Sequence, residues 1–285
     1  ADYLDDNETS NPLLYNWNTI WMIYCDGSSF TGNNLTVYDY KVNDTYSYPL
    51  YFRGHINLNE GLKVLWNQYG LDTATDVVLS GCSAGGLAVF LNSNFVYDNY
   101  VTNEAKPKFM SLPQSGFFPY DNPFASSPWH DNLEWIYNTQ NVTDVIDQYC
   151  VAYYQQTNES LSKCMFAQYV SQFLNRYKVF PLQSIYDAAG LSEQRIDTNN
   201  NTEVNLYGQW FAELFLNNYV YTNISLHSGY IYSCYSHCGE WNQINTNNII
   251  DGNAIQMFYY NNLNKQYNDT YLLFQNNTYP CNECW

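Results

Sequence analysis

The pentapeptide Gly81-Cys82-Ser83-Ala84-Gly85 sets a serine between glycines two residues away on either side. That spacing suits covalent chemistry on a carbonyl when a strand precedes it and a helix follows. Both are expected here. Val77, Val78 and Leu79 form a short apolar, β-branched run, and Leu87, Ala88, Val89, Phe90 and Leu91 open a buried helix. A sharp turn between them exposes the Ser83 hydroxyl at the C-terminal end of the strand. The glycines let strand and helix pass where a Cβ would clash. The helix N-terminus favours the negative charge that develops on a carbonyl oxygen under attack. The N–H of Ala84 is the expected first donor to that oxyanion. Without chemistry, the same residues are an ordinary βα turn.

A serine nucleophile needs a base, and the base needs an acid to orient it. On a strand–turn–helix nucleophile the chain order is serine, acid, histidine. His55 precedes Ser83 and is out of order. His130 comes too early to leave room for a strand bearing the acid, and His227 is a weaker late alternative. His237, in Ser233-Cys-Tyr-Ser-His-Cys-Gly239, lies in a late loop that cysteines could pin, although a surface histidine beside a disulfide would read the same way. Asp187 closes the run Val179 to Tyr186 and is the best-placed acid; its bland role is a helix N-cap before Ala188. Asp144, Asp147 and Asp197 sit in polar surroundings and read as solvated surface charges. Cys-x3-Cys with one histidine lacks a second ligand pair, so no metal or other cofactor is expected.

The elements that must position these groups follow from pattern. Strands are expected at Thr19–Tyr24, briefly at Tyr51–Gly54, at 76–80, from Phe109 and within Val179–Tyr186; helices are expected from Asn57 to Gly70, after the serine turn, at Trp210–Tyr221 and at Ile250–Asn262. Strand-helix-strand order around Ser83 implies a parallel sheet, hence an α/β fold. Residues 1–14 read as an exposed arm, and 31–48 and 192–206 as polar connections. The 285 residues, 46% hydrophobic, suffice for one large domain, and no repeat or linker divides them.

Charge and cysteine usage set the surroundings. Ten Lys+Arg against 27 Asp+Glu give a net charge of −17, which opposes nucleic acid and anionic membrane surfaces. An acidic polysaccharide would need local relief from that charge. Eight cysteines suggest disulfides. The acceptor pattern N-x-S/T occurs at Asn7, Asn34, Asn43, Asn141, Asn158, Asn200, Asn223, Asn268 and Asn276, suggesting a secreted chain carrying N-linked glycans. No run is long enough for a membrane span. The sequence starts at Ala1 without an initiator Met, as a mature or partial product does.

Several segments together resemble the pectin acetylesterase / Notum family of secreted carboxylesterases. They are Asn16-Trp17-Asn18, Tyr24 to Gly32, Phe52-Arg-Gly54, Leu79 to Ala88, Ser115-Gly-Phe-Phe118, Tyr186-Asp187, Ser236-His237-Cys238 and Tyr279-Pro-Cys-Asn282, in the family's order. The resemblance implies an α/β-hydrolase-like fold with a mostly parallel central sheet flanked by helices, in one domain over 1–285. It implies Ser83, Asp187 and His237 as the triad and a Cys150–Cys164 disulfide, and it leaves Cys82 as a possible buried thiol.

One departure stands out. The family carries an upstream strand ending in a Gly-Gly-Trp-Cys-type turn that donates further oxyanion N–H groups, and this sequence starts after it. Losing one such donor costs about 3 kcal/mol in the transition state. A cleaved segment that stays bound, an incomplete sequence, or a chain that has dropped catalysis would each account for this. Two functional expectations follow. One is a carboxylesterase removing acyl groups, acetyl above all, from an extracellular glycan. The other is an inactive structural or adhesive glycoprotein on an esterase scaffold, with other extracellular protein subunits as its expected partners.

Overall fold

Short β-branched and aromatic runs pair side by side in the computed structural model, which describes residues 4–101, 107–124, 128–220, 222, 228–239, 243–263 and 272–281. In chain order the elements are an antiparallel hairpin, β1 (Tyr38–Asn43) and β2 (Tyr46–Leu50), then α1 (Gly54–Gln68), β3 (Asp76–Cys82), α2 (Ala84–Val96) and β4 (Lys108–Gln114). Helices α3 (Pro128–Thr139), α4 (Gln148–Thr157) and α5 (Ala167–Val170) follow, then β5 (Lys178–Val179), β6 (Leu182–Ser184), α6 (Ala188–Glu193) and α7 (Asn201–Phe215). The chain continues with β7 (Gly229–Tyr232), a small hairpin β8 (Asn245–Thr246) and β9 (Ile249–Ile250), α8 (Asp251–Leu263) and β10 (Leu272–Phe274).

The central sheet runs β10-β7-β6-β4-β3, with β5 also on β4, and every pairing in it is parallel. Parallel sheets need apolar cover on both faces. Alternate residues supply it: Val77, Leu79, Phe109 and Ile231 join one core, while Val78, Met110, Leu112, Tyr230 and Tyr232 join the other. The first core is closed by α1, α2, α3, α4 and α7, and the second by α8 through Ala254, Ile255 and Phe258.

Several sequence expectations need correction. Thr19–Tyr24 forms no strand and joins no ladder among the described residues; Met22 packs on the core while Ile20, Trp21 and Ile23 are exposed, Trp21 at 75%. The apolar run has strand propensity, but a strand also needs a hydrogen-bonding neighbour. Residues 38–50 form a hairpin, not a plain connection, and 51–53 lead straight into α1. Leu13 and Leu14 are buried in the second core, so the N-terminal arm is anchored. Helix α7 begins at Asn201, nine residues ahead of the start expected at Trp210, and is capped by Asn200, whose side chain accepts from Glu203 N–H. Asp147 is buried, because its carboxylate caps α4 by accepting from Cys150 N–H at 2.8 Å and is approached by Asn94 Nδ2.

The crossing beneath Ser83 is set by glycines. A Cβ on Gly81 would strike the Gly85 carbonyl; one on Gly86 would strike Gln114 O, and one on Gly116 would strike the Gly86 backbone. Gly85 itself has open space around its Cβ position. The close approach therefore belongs to Gly81, Gly86 and Gly116, and Gly85 takes part only with its backbone. Gly116→Ala should lower the unfolding free energy by about 1–3 kcal/mol in a denaturant titration. Gly85→Ala, in the first turn of α2, should cost nothing of that kind, and an equal loss would refute this reading of the crossing.

Candidate active site

Ser83 sits between β3 and α2 with φ 58° and ψ −121°. A non-glycine residue at such a φ is strained by about 1–3 kcal/mol. Two hydrogen bonds hold it there: Ser83 N–H donates to Gln114 O at 3.0 Å, and Leu87 N–H donates to Ser83 O at 2.9 Å. The hydroxyl does not cap the helix that it precedes. Ala84 is the first residue of α2, so its N–H lies ahead of the helical ladder, where such groups have no intrahelical acceptor.

Asp187 follows β6 and is 6% exposed. Its Oδ1 accepts from Gly190 N–H at 2.8 Å and so caps α6. The same carboxylate meets the His237 ring: Nδ1 lies 2.8 Å from Oδ1 and 2.9 Å from Oδ2. A carboxylate can only accept, so Nδ1 carries the hydrogen and neutral His237 presents a lone pair at Nε2. The hydrogen bond to Asp187 holds the imidazole pKa above its ordinary value, against burial, which pulls it down; the negative charge of Asp187 adds to the rise.

The histidine loop is tied on two sides. On the acid side, Ala188 N–H donates to Ser236 O at 3.1 Å and Ser184 Oγ donates to Cys234 O. On the serine side, Cys82 and Cys238 form a disulfide with their Cα atoms 5.9 Å apart. Cys82 directly precedes Ser83 and Cys238 directly follows His237, so the Cα atoms of serine and histidine are no more than ~14 Å apart. The structure thus pairs two of the groups picked from sequence, Asp187 and His237, and ties the turn that carries the third, Ser83, to the histidine loop through the disulfide. It corrects Cys82, which is a disulfide partner and not a thiol. Cys238, at φ 55°, is the participant that sequence reasoning passed over. The signal was present, since one cysteine adjoins the serine and the other adjoins the histidine.

Cys150 and Cys164 are also bonded. His130 lies instead 3.8 Å from Glu134 and packs on Tyr120, while His227 is outside the described residues. Of the sequon asparagines, Asn7, Asn43, Asn141, Asn158, Asn200 and Asn276 are exposed and Asn34 is partly so; Asn223 and Asn268 lie outside the described residues. Among the described residues no cluster of His, Cys, Asp and Glu could hold a metal, and no helix is long and apolar enough to cross a membrane. A narrow recess, with room for about one water molecule, adjoins Asp187, lined also by Ser115, Phe118, Trp129 and Gln183. Trp129 stacks on Phe118 at 4.0 Å.

The family model described as pectinacetylesterase matches residues 2–283. The chain belongs to the pectinacetylesterase family. It is 34% identical over 191 residues to pectin acetylesterase 5 of Arabidopsis thaliana, covering 65% of this chain and 40% of that protein. Pectin acetylesterase 4 of the same plant is 31% identical over 189 residues, covering 65% and 41%. The chain therefore spans about two fifths of the length of these relatives. Among solved structures, the Wnt deacylase Notum from Drosophila superposes with a TM-score of 0.81 at 16% identity, over 100% of this chain and 79% of that one. That likeness establishes the α/β-hydrolase-like fold expected from the sequence.

Two outcomes are expected. Replacing Cys82 and Cys238 together by serine should cost about 2–5 kcal/mol of unfolding free energy, as loss of a long-range cross-link does. It should also lower nucleophile reactivity by more than a matched replacement of Cys150 and Cys164; equal effects would remove the special role of the first bridge. The second concerns pH. A raised histidine pKa stabilises the fold fully below the unfolded value of about 6.5, and this contribution fades as pH rises through the folded value. Asn also caps helices, so Asp187→Asn isolates the charge. The stability gap between wild type and this variant should shrink on going from acidic to alkaline conditions, and a gap independent of pH would contradict the pairing.

Proposed function

We propose that this chain is a secreted serine carboxylesterase that removes acetyl groups from an extracellular polysaccharide, with 1–285 acting as one α/β-hydrolase-like domain. The observation that carries the reading is the Asp187–His237 pair, cross-linked to the strained serine turn through Cys82–Cys238. Membership of the pectinacetylesterase family supports ester hydrolysis as the reaction. Disulfides and exposed sequons support an extracellular setting with N-linked glycans.

In the proposed cycle, Ser83 Oγ attacks the ester carbonyl carbon while its proton passes to His237 Nε2. Asp187 holds the ring and stabilises the imidazolium. The carbonyl oxygen, now an anion, accepts from Ala84 N–H. Collapse expels the sugar alkoxide, which takes the proton from Nε2 and leaves an acetyl-serine. Water then attacks that ester, giving its proton to His237, and the second collapse returns the proton to Ser83 and frees acetate. No step uses a metal or organic cofactor.

Fluorophosphonate labelling of the folded protein, read by peptide mass spectrometry, tests this. A stoichiometric adduct on Ser83 is expected. It should vanish in Ser83→Ala, and the labelling rate should fall by several orders of magnitude, up to about 10⁶, in His237→Ala. Folded protein that takes no label would sink the esterase reading in favour of an inactive glycoprotein scaffold.

A further inference from the structure

Hairpin β1–β2 stands outside the central sheet and is exposed along nearly its whole length. Its side chains sort by face. Tyr40 pairs with Tyr48, Tyr38 with Leu50, and, past an irregularity between Lys41 and Asn43, Asn43 with Tyr46. Tyr38, Tyr40, Tyr46 and Tyr48 therefore share one face, since side chains two apart on a strand point the same way. The rings follow one another: Tyr40 and Tyr48 centroids are 5.4 Å apart, and Tyr46 and Tyr48 are 6.2 Å apart. They are open to solvent, with Tyr40 at 44%, Tyr46 at 57% and Tyr48 at 39% exposure. Three phenol rings in a row outside any core are an unusual use of apolar surface.

The row continues toward the candidate active site. Tyr38 and Phe52 pack on Trp135 at 6.0 and 5.9 Å, and Trp135 is 45% exposed. Trp135 lies on α3, the helix whose first turn carries Trp129 into the recess beside Asp187. One helix thus joins the recess to the hairpin. Charge changes along the way as well. Over residues 38–53 Lys41 and Arg53 balance Asp39 and Asp44, whereas the whole chain has 10 basic residues against 27 acidic ones. Arg53 stacks on exposed Tyr51 at 5.1 Å. This end of the molecule offers the local relief from repulsion that an acidic polymer requires.

We infer that the tyrosine face of β1–β2 is a docking platform for the polysaccharide chain of the substrate, away from the bond that is cleaved. The inference rests on the esterase reading above and deepens it. Pyranose rings expose flat C–H faces that stack on aromatic rings, and their hydroxyl groups stay in water at the rim. A row of tyrosines, which are rigid and amphipathic, suits a repeating polymer of such rings. Asn43 shares the tyrosine face at the hairpin tip, so a glycan there would bear on the same surface.

The test compares a polymer with a small ester. In a Tyr40→Ala/Tyr48→Ala protein, KM for O-acetylated pectin should rise roughly tenfold, the loss of about one good aromatic contact. Hydrolysis of p-nitrophenyl acetate should stay within about twofold of wild type, since the platform does not touch the reacting ester. Tyr40→Phe/Tyr48→Phe should restore the polymer KM, because the rings return. The same comparison in Asn43→Gln removes any contribution of a glycan at the tip. An unchanged polymer KM, or equal losses on both substrates, would overturn the platform. If wild type hydrolyses neither substrate, the esterase reading fails by itself. Retardation in a pectin-containing native gel then judges the platform alone: wild type should be slowed and the double alanine variant should not, and equal mobilities would refute it.

Discussion

The bond between Cys82 and Cys238 is the constraint on which the site depends. A parallel sheet delivers its loops to one edge but leaves them independent of each other. The serine turn is rigid because β3, α2 and the exit of β4 cross on glycines. The histidine loop has no such crossing. It is held to the Asp187 turn by two hydrogen bonds and by the His237–Asp187 hydrogen bond, and by a covalent link to the residue before Ser83. The hydrogen bonds settle the ring's orientation, and the disulfide settles its distance from the serine. Cys238, 156 positions beyond Cys82, thereby becomes a fixed neighbour of the Ser83 turn.

Much of this was legible in the sequence for identifiable reasons. Ser83, Asp187 and His237 could be picked out because each follows from local chemistry: a glycine-framed serine after an apolar run, an aspartate at a strand end, a histidine between cysteines. The partner of Cys82 was not assigned: the number of possible pairings among eight cysteines is large, and the one clue, a cysteine beside the serine and another beside the histidine, counts only once those two are taken to be neighbours. Likewise, Thr19–Tyr24 has the composition of a strand, yet ladder bonds depend on a neighbour that composition does not encode. Asp147 reads as a solvated charge, but Val145 and Ile146 beside it enter the core, and its carboxylate is taken up by the α4 cap and by Asn94, far away in sequence.

The two faces of the sheet explain why so aromatic a chain folds around small elements. Strands β5, β6 and β10 are only two or three residues long. Large rings compensate, with Phe117, Phe211 and Phe215 clustered on one side and Phe180 stacked on Phe258 at 4.6 Å on the other. The surplus of tyrosine then reappears on the hairpin, where the rings have no core to fill.

The double duty of Asp187 changes how drift in this scaffold would be read. An aspartate that both caps α6 and orients a histidine is kept by folding even after catalysis has ceased to matter. The cysteines beside the serine and histidine are likewise retained for the fold. Ser83 is different: its backbone is strained and its hydroxyl caps nothing, so the fold draws no benefit from that side chain. Among descendants of this chain, loss of function would register first as a change of residue at position 83, with the rest of the constellation left standing as a fossil.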